Sequence, residues 1–443
     1  MARAGRFGKD WTAVALPHQP PPVDLGSGRL AVPVDVESVD ATLVFDVAAR
    51  QGRGSAKVVF VVDDPGGCPV LDLRQEPAAL RLDGAQLGGH AFPRCDLGAG
   101  LDAGMRVLDA SVGPGRHTLE LDYPLATPAA ARAEPVAWCD AGVRFDLWMS
   151  DLAAGRYLEM WVPANLCHDR FALSVEVVVT GAARPHVAVA NGDVADLGAG
   201  TRFRVVYPDR YTSLSPMLVV APADEVELRR RPVALAGRGA PIGLVVARHR
   251  EVDADLAACE ADIAGWLTYL AERYGPWVHG EEFCAFVWGP GRGMEYDGAT
   301  TASVPALEHE VFHTWFGRGV KPATAGDGWI DEAFTTWATS SRRAEGARFA
   351  DDELGLDTEP VTLRPPHPWS RHTPVESYAS GARLFAGLAV VVGGPGRLRS
   401  AMADWYRANA GGLVSTDGLE AHLTGWSGVD VGPWFARYVH GRG

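Results

Sequence analysis

The sequence predicts an α+β multidomain protein, an all-β N-terminal domain followed by a mixed α/β domain. Three observations lead there. The chain has 443 residues, long enough to favour two or more domains. From about Val32 to Pro222, short β-branched runs alternate with Gly, Pro and Asp, the pattern of a layered all-β structure. After about residue 240 the hydrophobic spacing changes to three and four residues, the period of amphipathic helices. Residues 1–22, with prolines at 20–22, read as an N-terminal arm, residues 23–237 as the β-rich domain and residues 238–443 as the mixed domain.

In the first half, Ala41–Val47, Ala56–Val62, Phe171–Val179 and Phe203–Tyr207 read as strands. The run Arg229-Arg230-Arg231-Pro232 reads as a solvated edge or linker near the boundary. Beyond it, Pro241–Ala247 reads as a strand. Leu256, Cys259, Ile263, Trp266, Leu267, Leu270 and Tyr274 then lie on one helical face, closed by Gly275-Pro276. Glu282–Trp288 reads as a strand. Helices are expected over Pro305–Phe316, Ile330–Arg343, Tyr378–Val392 and Leu398–Asn409.

Composition narrows the function. The chain carries 41 basic and 55 acidic residues, a net charge of −14. That argues against phosphate-based nucleic-acid binding and against a polybasic membrane surface. No apolar run approaches the roughly 18 residues of a membrane span, and the N-terminus lacks an apolar stretch of secretory length. Six scattered cysteines without paired spacing read as reduced thiols, so a cytoplasmic location is expected.

The chemistry concentrates in His309-Glu310-Val311-Phe312-His313. Two histidines four apart on a helix differ by about 40° in rotation and about 6 Å in height. Both imidazoles then reach one Zn²⁺ at roughly 2.0–2.1 Å. Glu310, about 100° round the helix, lies beside the metal and can act as a general base. A catalytic zinc needs a third ligand and an open position. Glu332 stands nineteen residues after His313 in Gly328-Trp329-Ile330-Asp331-Glu332-Ala333-Phe334. The turn at Gly326-Asp327-Gly328 starts a second helix whose carboxylate can project back at the first.

This combination resembles the gluzincin zinc metallopeptidases of the aminopeptidase N type. The resemblance implies a saddle-like β domain followed by a thermolysin-like zinc catalytic domain. It implies one Zn²⁺ per chain on His309, His313 and Glu332, with Glu310 as base. His313-Thr314-Trp315-Phe316-Gly317 matches the family's usual continuation of the helix. Arg292-Gly293-Met294-Glu295-Tyr296 resembles its G-x-M-E-N motif. Glu295 would then bind the substrate's α-amino group, and the strand edge at Gly293 and Met294 would pair with the peptide. Tyr378-Ala379-Ser380-Gly381-Ala382 resembles the Y-x-x-G-A stretch, whose tyrosine donates to the oxyanion.

The sequence also departs from the family. Arg292 and Tyr296 replace the first Gly and the Asn of G-x-M-E-N, and Glu295 lies only fourteen residues before His309. Asp331 replaces the usual Asn, and Thr336 and Thr339 stand where the acidic residue that orients the first zinc histidine is usual. That partner has no obvious match. The chain stops soon after the catalytic segment, so a short form without the large C-terminal helical domain is expected. His367 and His372 read as surface histidines, while Glu159 is a candidate to reach the cleft from the β domain.

The expected activity is zinc-dependent aminopeptidase hydrolysis of peptides. The rivals are a non-peptide small-molecule activity at the same site, such as epoxide opening, and an inactive binding scaffold. The expected partner is a peptide or small amine-bearing substrate, with no nucleic acid or membrane. The sequence leaves the oligomeric state open.

Overall fold

The computed structural model describes residues 19–442 except 128–134, 140–141, 151–154, 156, 341–354 and 365–366. Most of the expected arm, and the end of the helix expected to reach Arg343, lie outside the described residues.

The first half is β-rich, as expected. Its largest sheet has eight strands. At its centre Asp35–Asp46 pairs antiparallel with Gln51–Val62 and parallel with Ala172–Thr180. Along Gln51–Val62 buried positions alternate with more exposed ones. This period of two puts Val58, Phe60 and Val62 on one core-facing side. A four-stranded sheet formed by Val136–Cys139, Gly142–Asp146, Leu218–Pro222 and His186–Ala190 packs into the same core. The expected strands fall within one or two residues of their sequence bounds, except that those read at Ala41–Val47 and Ala56–Val62 begin several residues earlier, because their mutual ladder pairing continues through the polar residues before the apolar run.

The second half is built on a five-stranded mixed sheet in the order Val226–Val233, Ile242–His249, Glu282–Trp288, Ala299–Ser303, Gly293–Tyr296. The three middle strands are parallel and the two edges antiparallel. Helix Leu256–Arg273 makes the crossover between the first two parallel strands. The Asp255 side chain caps it, accepting from the amides of Ala257 and Ala258 at 2.9 and 3.1 Å. Both faces of the sheet are covered. Leu244, Val246, Ala285 and Val287 face the helical core, while Val245, Ala247, Cys284 and Phe286 join the core of the β-rich half. Two-sided burial explains why these strands read as continuous apolar runs.

The Arg229–Arg231 run lies on the outer strand of this sheet, where Arg230 pairs with Glu282 at 3.0 Å. It is therefore an edge rather than a linker. The position between residues 237 and 238 falls in the hairpin turn joining Val226–Val233 to Ile242–His249.

The helix expected over Pro305–Phe316 is shorter. A 3₁₀ turn, Val304–Ala306, leads into Leu307–Phe312, and His313 closes the helix. The chain then turns through Gly317 at φ +108°, a region that favours glycine. The Arg318 amide bonds the His313 carbonyl at 3.1 Å. The second helix, Trp329–Ser340, packs on Glu376–Val391. Their close approach needs Gly381, where a Cβ would stand 2.5 Å from the Ala333 Cβ. Among the described residues, no helix is long and apolar enough to cross a membrane.

Phe334 on the second of these helices packs against Phe312 of the first and Phe385 of Glu376–Val391, with ring centroids at 5.9 and 5.2 Å, and against Phe316 at 4.5 Å. It is fully buried. Phe334→Ala should cost about 3–5 kcal/mol. A lowered urea midpoint at unchanged slope is the expected reading, and an unchanged midpoint would contradict this packing.

Candidate metal centre

The two short helices aim three ligand atoms at one point. His309 Nε2 and His313 Nε2 are 2.9 Å apart, and Glu332 Oε2 lies 3.3 and 3.4 Å from them. Ligands at roughly 2.0–2.1 Å from a tetrahedral ion stand about 3.4 Å from one another. The donor set and its spacing therefore fit zinc. Glu310 is buried and is not among the three converging ligands. Its carboxylate lies against the backbone of Gly293, where any Cβ would collide with Glu310 Oε1. Glycine at 293 thus lets the edge strand Gly293–Tyr296 run beside the expected base.

His313 is fully buried, and its Nδ1 bonds the Asp331 carboxylate. Thr335 Oγ1 is also 3.3 Å from that nitrogen. Burial alone would lower the His313 pKa, but the carboxylates of Asp331, Glu295 and Glu332 hold it well above the ordinary imidazole value. A metal binds the neutral imidazole, and in that form the Nδ1 proton directed at Asp331 leaves the Nε2 lone pair facing the ligand cluster. Asp331, one residue before the carboxylate ligand, is therefore the partner of the second zinc histidine, not of the first. Thr339 instead bonds the Thr335 carbonyl at 2.8 Å. Gly317 makes room for Asp331, since a side chain at 317 would collide with its carboxylate. Burial opposes ionisation of Glu332, but the neighbouring imidazoles win and hold it well below the usual carboxylate range.

Tyr378 reaches the centre from helix Glu376–Val391. Its ring stacks near His309, and its hydroxyl donates to Glu332 Oε1. Burial and the Glu332 charge raise its pKa well above the usual phenol value, so the hydroxyl keeps its proton.

Glu295 also points at this centre. Its carboxylate, with ligand atoms of His313 and Asp331, forms a group within 4.8 Å. It is 3% exposed and pairs with Arg318 Nη2 at 2.8 Å. Gly293 is exposed and Met294 buried on the same edge strand. The following turn is pinned to the β-rich half by Asn191 Nδ2 and the Tyr211 hydroxyl, both donating to the Asp297 carbonyl at 2.8 and 3.0 Å.

A cavity beside the centre is lined by Glu159 and Tyr157 from one half and by Arg318, Asp331 and Arg371 from the other. Burial and the nearby Asp72 push the Glu159 pKa up to about 7. His367 is exposed. His372, expected at the surface, is half-buried and lines this cavity, because Arg371 beside it is drawn into a buried ion pair with Asp72. Sequence reasoning missed Asp331 as a histidine partner, although adjacent acids in the first turn of the second helix were a usable signal. It also missed Arg318, Asp72 and Arg371. Asp72 and Arg371 are 299 residues apart, and no local pattern joins them.

In fold, the chain has the two-domain architecture of the M1 zinc metallopeptidases. An M1 zinc metallopeptidase of Deinococcus radiodurans superposes with a TM-score of 0.65 at 20% identity, covering 93% of this chain and 95% of that one. Legionella pneumophila aminopeptidase A, solved with aspartic acid, gives 0.70 at 14% identity over 92% of this chain. The chain spans about half that protein's length, 49%. Yeast LTA4 hydrolase gives 0.62 at 14% identity, over 91% and 68% of the two chains. No family model matches the sequence, and no curated protein matches it.

Asp331→Asn tests the histidine pairing. It should weaken zinc binding by about 10–100-fold while the far-ultraviolet circular dichroism stays unchanged. Equilibrium dialysis gives the affinity, and an unaltered constant would remove Asp331 from this role.

Proposed function

We propose that this chain is a zinc-dependent aminopeptidase of the gluzincin family that hydrolyses the N-terminal amide bond of peptides. The observation that carries the reading is the convergence of His309, His313 and Glu332, with Glu310 beside the cluster and an edge strand running past it. Peptide as substrate class has support from the fold relatives, one of which was solved with a Tyr-Ser-Ala substrate.

His309, His313 and Glu332 would hold the metal. Bound there, zinc supplies Lewis-acid polarisation of the scissile carbonyl and acidifies a water. Glu310 takes a proton from the attacking water and delivers it to the leaving amine. Tyr378, protonated across the working pH range, turns its hydroxyl from Glu332 to the developing oxyanion. Gly293 and Met294 offer backbone groups on the sheet edge to an extended peptide. Glu295 receives the α-ammonium and fixes where the chain begins.

One observation favours a second reading, hydrolysis of a non-peptide small molecule at the same centre. Arg318 already matches the Glu295 charge at 2.8 Å, which weakens that carboxylate as an ammonium anchor.

Chelator-sensitive hydrolysis of aminoacyl arylamides is the direct test of the first reading. Glu310→Gln should lower kcat by at least ~10²–10⁴ with zinc content retained, as read by elemental analysis. Near-normal turnover would withdraw the base assignment.

Glu295→Ala separates the two readings. If Glu295 holds the ammonium, kcat/KM on free-amine substrates should fall about ten- to a hundred-fold or more, with little change on N-acetylated ones. Equal losses on both would favour the small-molecule reading.

A further inference from the structure

We infer that Arg292 is a positioning residue for the substrate-pairing edge, anchoring Gly293 from the β-rich half. The inference rests on the aminopeptidase reading and adds a residue to that site.

The edge strand Gly293–Tyr296 carries two rows of side chains. Met294 and Tyr296 enter the core of the β-rich half. On the other face Gly293 lies against Glu310, and Glu295 points at His313 and Asp331. Arg292, just before the strand, continues the first row. Its guanidinium pairs with Asp146 at the end of strand Gly142–Asp146, the two side chains being 10% and 5% exposed. The guanidinium carbon also lies 4.0 Å from the ring centroid of Trp288 and 6.0 Å from that of Trp148. Asp146 Oδ1 accepts from the Trp148 amide at 2.8 Å, so the carboxylate is itself held in place. Burial pushes the Arg292 pKa down to about 10, which leaves the group charged at neutral pH.

The rest of the edge shows what this anchor does. Arg318 Nε donates to the Glu295 carbonyl at 3.4 Å. Beyond the strand, the Asp297 carbonyl is held by Asn191 and Tyr211. Gly293 is exposed, while Met294, Glu295 and Tyr296 are buried. Pairing with an extended peptide therefore centres on Gly293. The far end of the strand is gripped at Asp297. The near end follows Gly289-Pro290-Gly291, where a side chain at either glycine would meet open space. That turn gives the strand no lateral support, so the side-chain anchor at the near end is Arg292. The family motif that this stretch resembles has glycine at the position of Arg292, and glycine could make neither the ion pair nor the ring contacts. With an ammonium at Glu295, a peptide running antiparallel to the strand reaches Gly293 about 7 Å further on, beyond its first residue.

The test uses the zinc-loaded full chain with tetra-alanine and an alanyl arylamide, which has no peptide backbone beyond the scissile bond. Arg292→Met keeps the aliphatic bulk and removes the ion pair. Asp146→Asn keeps the shape and the acceptor for the Trp148 amide, and removes the charge facing Arg292. In each variant KM for tetra-alanine should rise at least ~10-fold, the worth of about two backbone hydrogen bonds. The base stands on its own helix, so kcat should stay within about two-fold, and KM for the arylamide within about three-fold. A role in folding alone lowers the active fraction, and so the rate on both substrates, with KM unmoved. That result, or an equal rise in KM on both substrates, overturns the inference and leaves the aminopeptidase reading standing. Asp146→Asn decides alone if Arg292→Met fails to fold. Absence of chelator-sensitive hydrolysis of either substrate by the unaltered protein overturns both.

Discussion

The site depends on one geometric requirement. Three ligand atoms from two short helices must meet within 3.4 Å of one another. Two imidazoles and a carboxylate brought so close desolvate one another, and the arrangement survives only if packing holds both backbones. The aromatic cluster of Phe312, Phe316, Phe334 and Phe385 does that from the apolar side. Gly381 lets a third helix press against the second and brings Tyr378 over Glu332. On the polar side, Asp331 locks the His313 ring from behind. Removing any of these loosens the ligand triangle without touching a ligand.

The five-stranded sheet is the mechanical link between the halves. One face carries the crossover helix and the metal helices, and the other completes the core of the β-rich half. Its terminal strand, Gly293–Tyr296, passes beside Glu310. The turn after that strand is gripped by Asn191 and Tyr211, and Lys321 reaches into the same place, pairing with Asp297 at 2.8 Å and donating to Ser215 at 3.0 Å. The β-rich half therefore helps set where a substrate strand can lie relative to the base. It also supplies Glu159, Tyr157 and Asp72 to the cavity.

Glu295 and Arg318 illustrate how a local motif and its surroundings differ. The motif places a carboxylate at the end of an edge strand, and the structure does so, close to His313 and Asp331. The turn through Gly317 then returns Arg318 to the same carboxylate. Glu295 therefore already faces a guanidinium before substrate arrives.

The sequence by itself determined what local spacing encodes. The four-residue interval of His309 and His313, the period-two strands and the helical face from Leu256 onward follow from backbone geometry within one element, and each appears in the structure. The carboxylate of Glu332 was legible because a turn and a helix start precede it directly. Only the tertiary structure decided which groups from distant elements meet. It paired Asp331 with His313, set Arg318 against Glu295, and joined Asp72 to Arg371. Such pairings depend on the rotation of whole elements about a shared core. That rotation is fixed by packing contacts summed over the molecule, and no short stretch of sequence carries it.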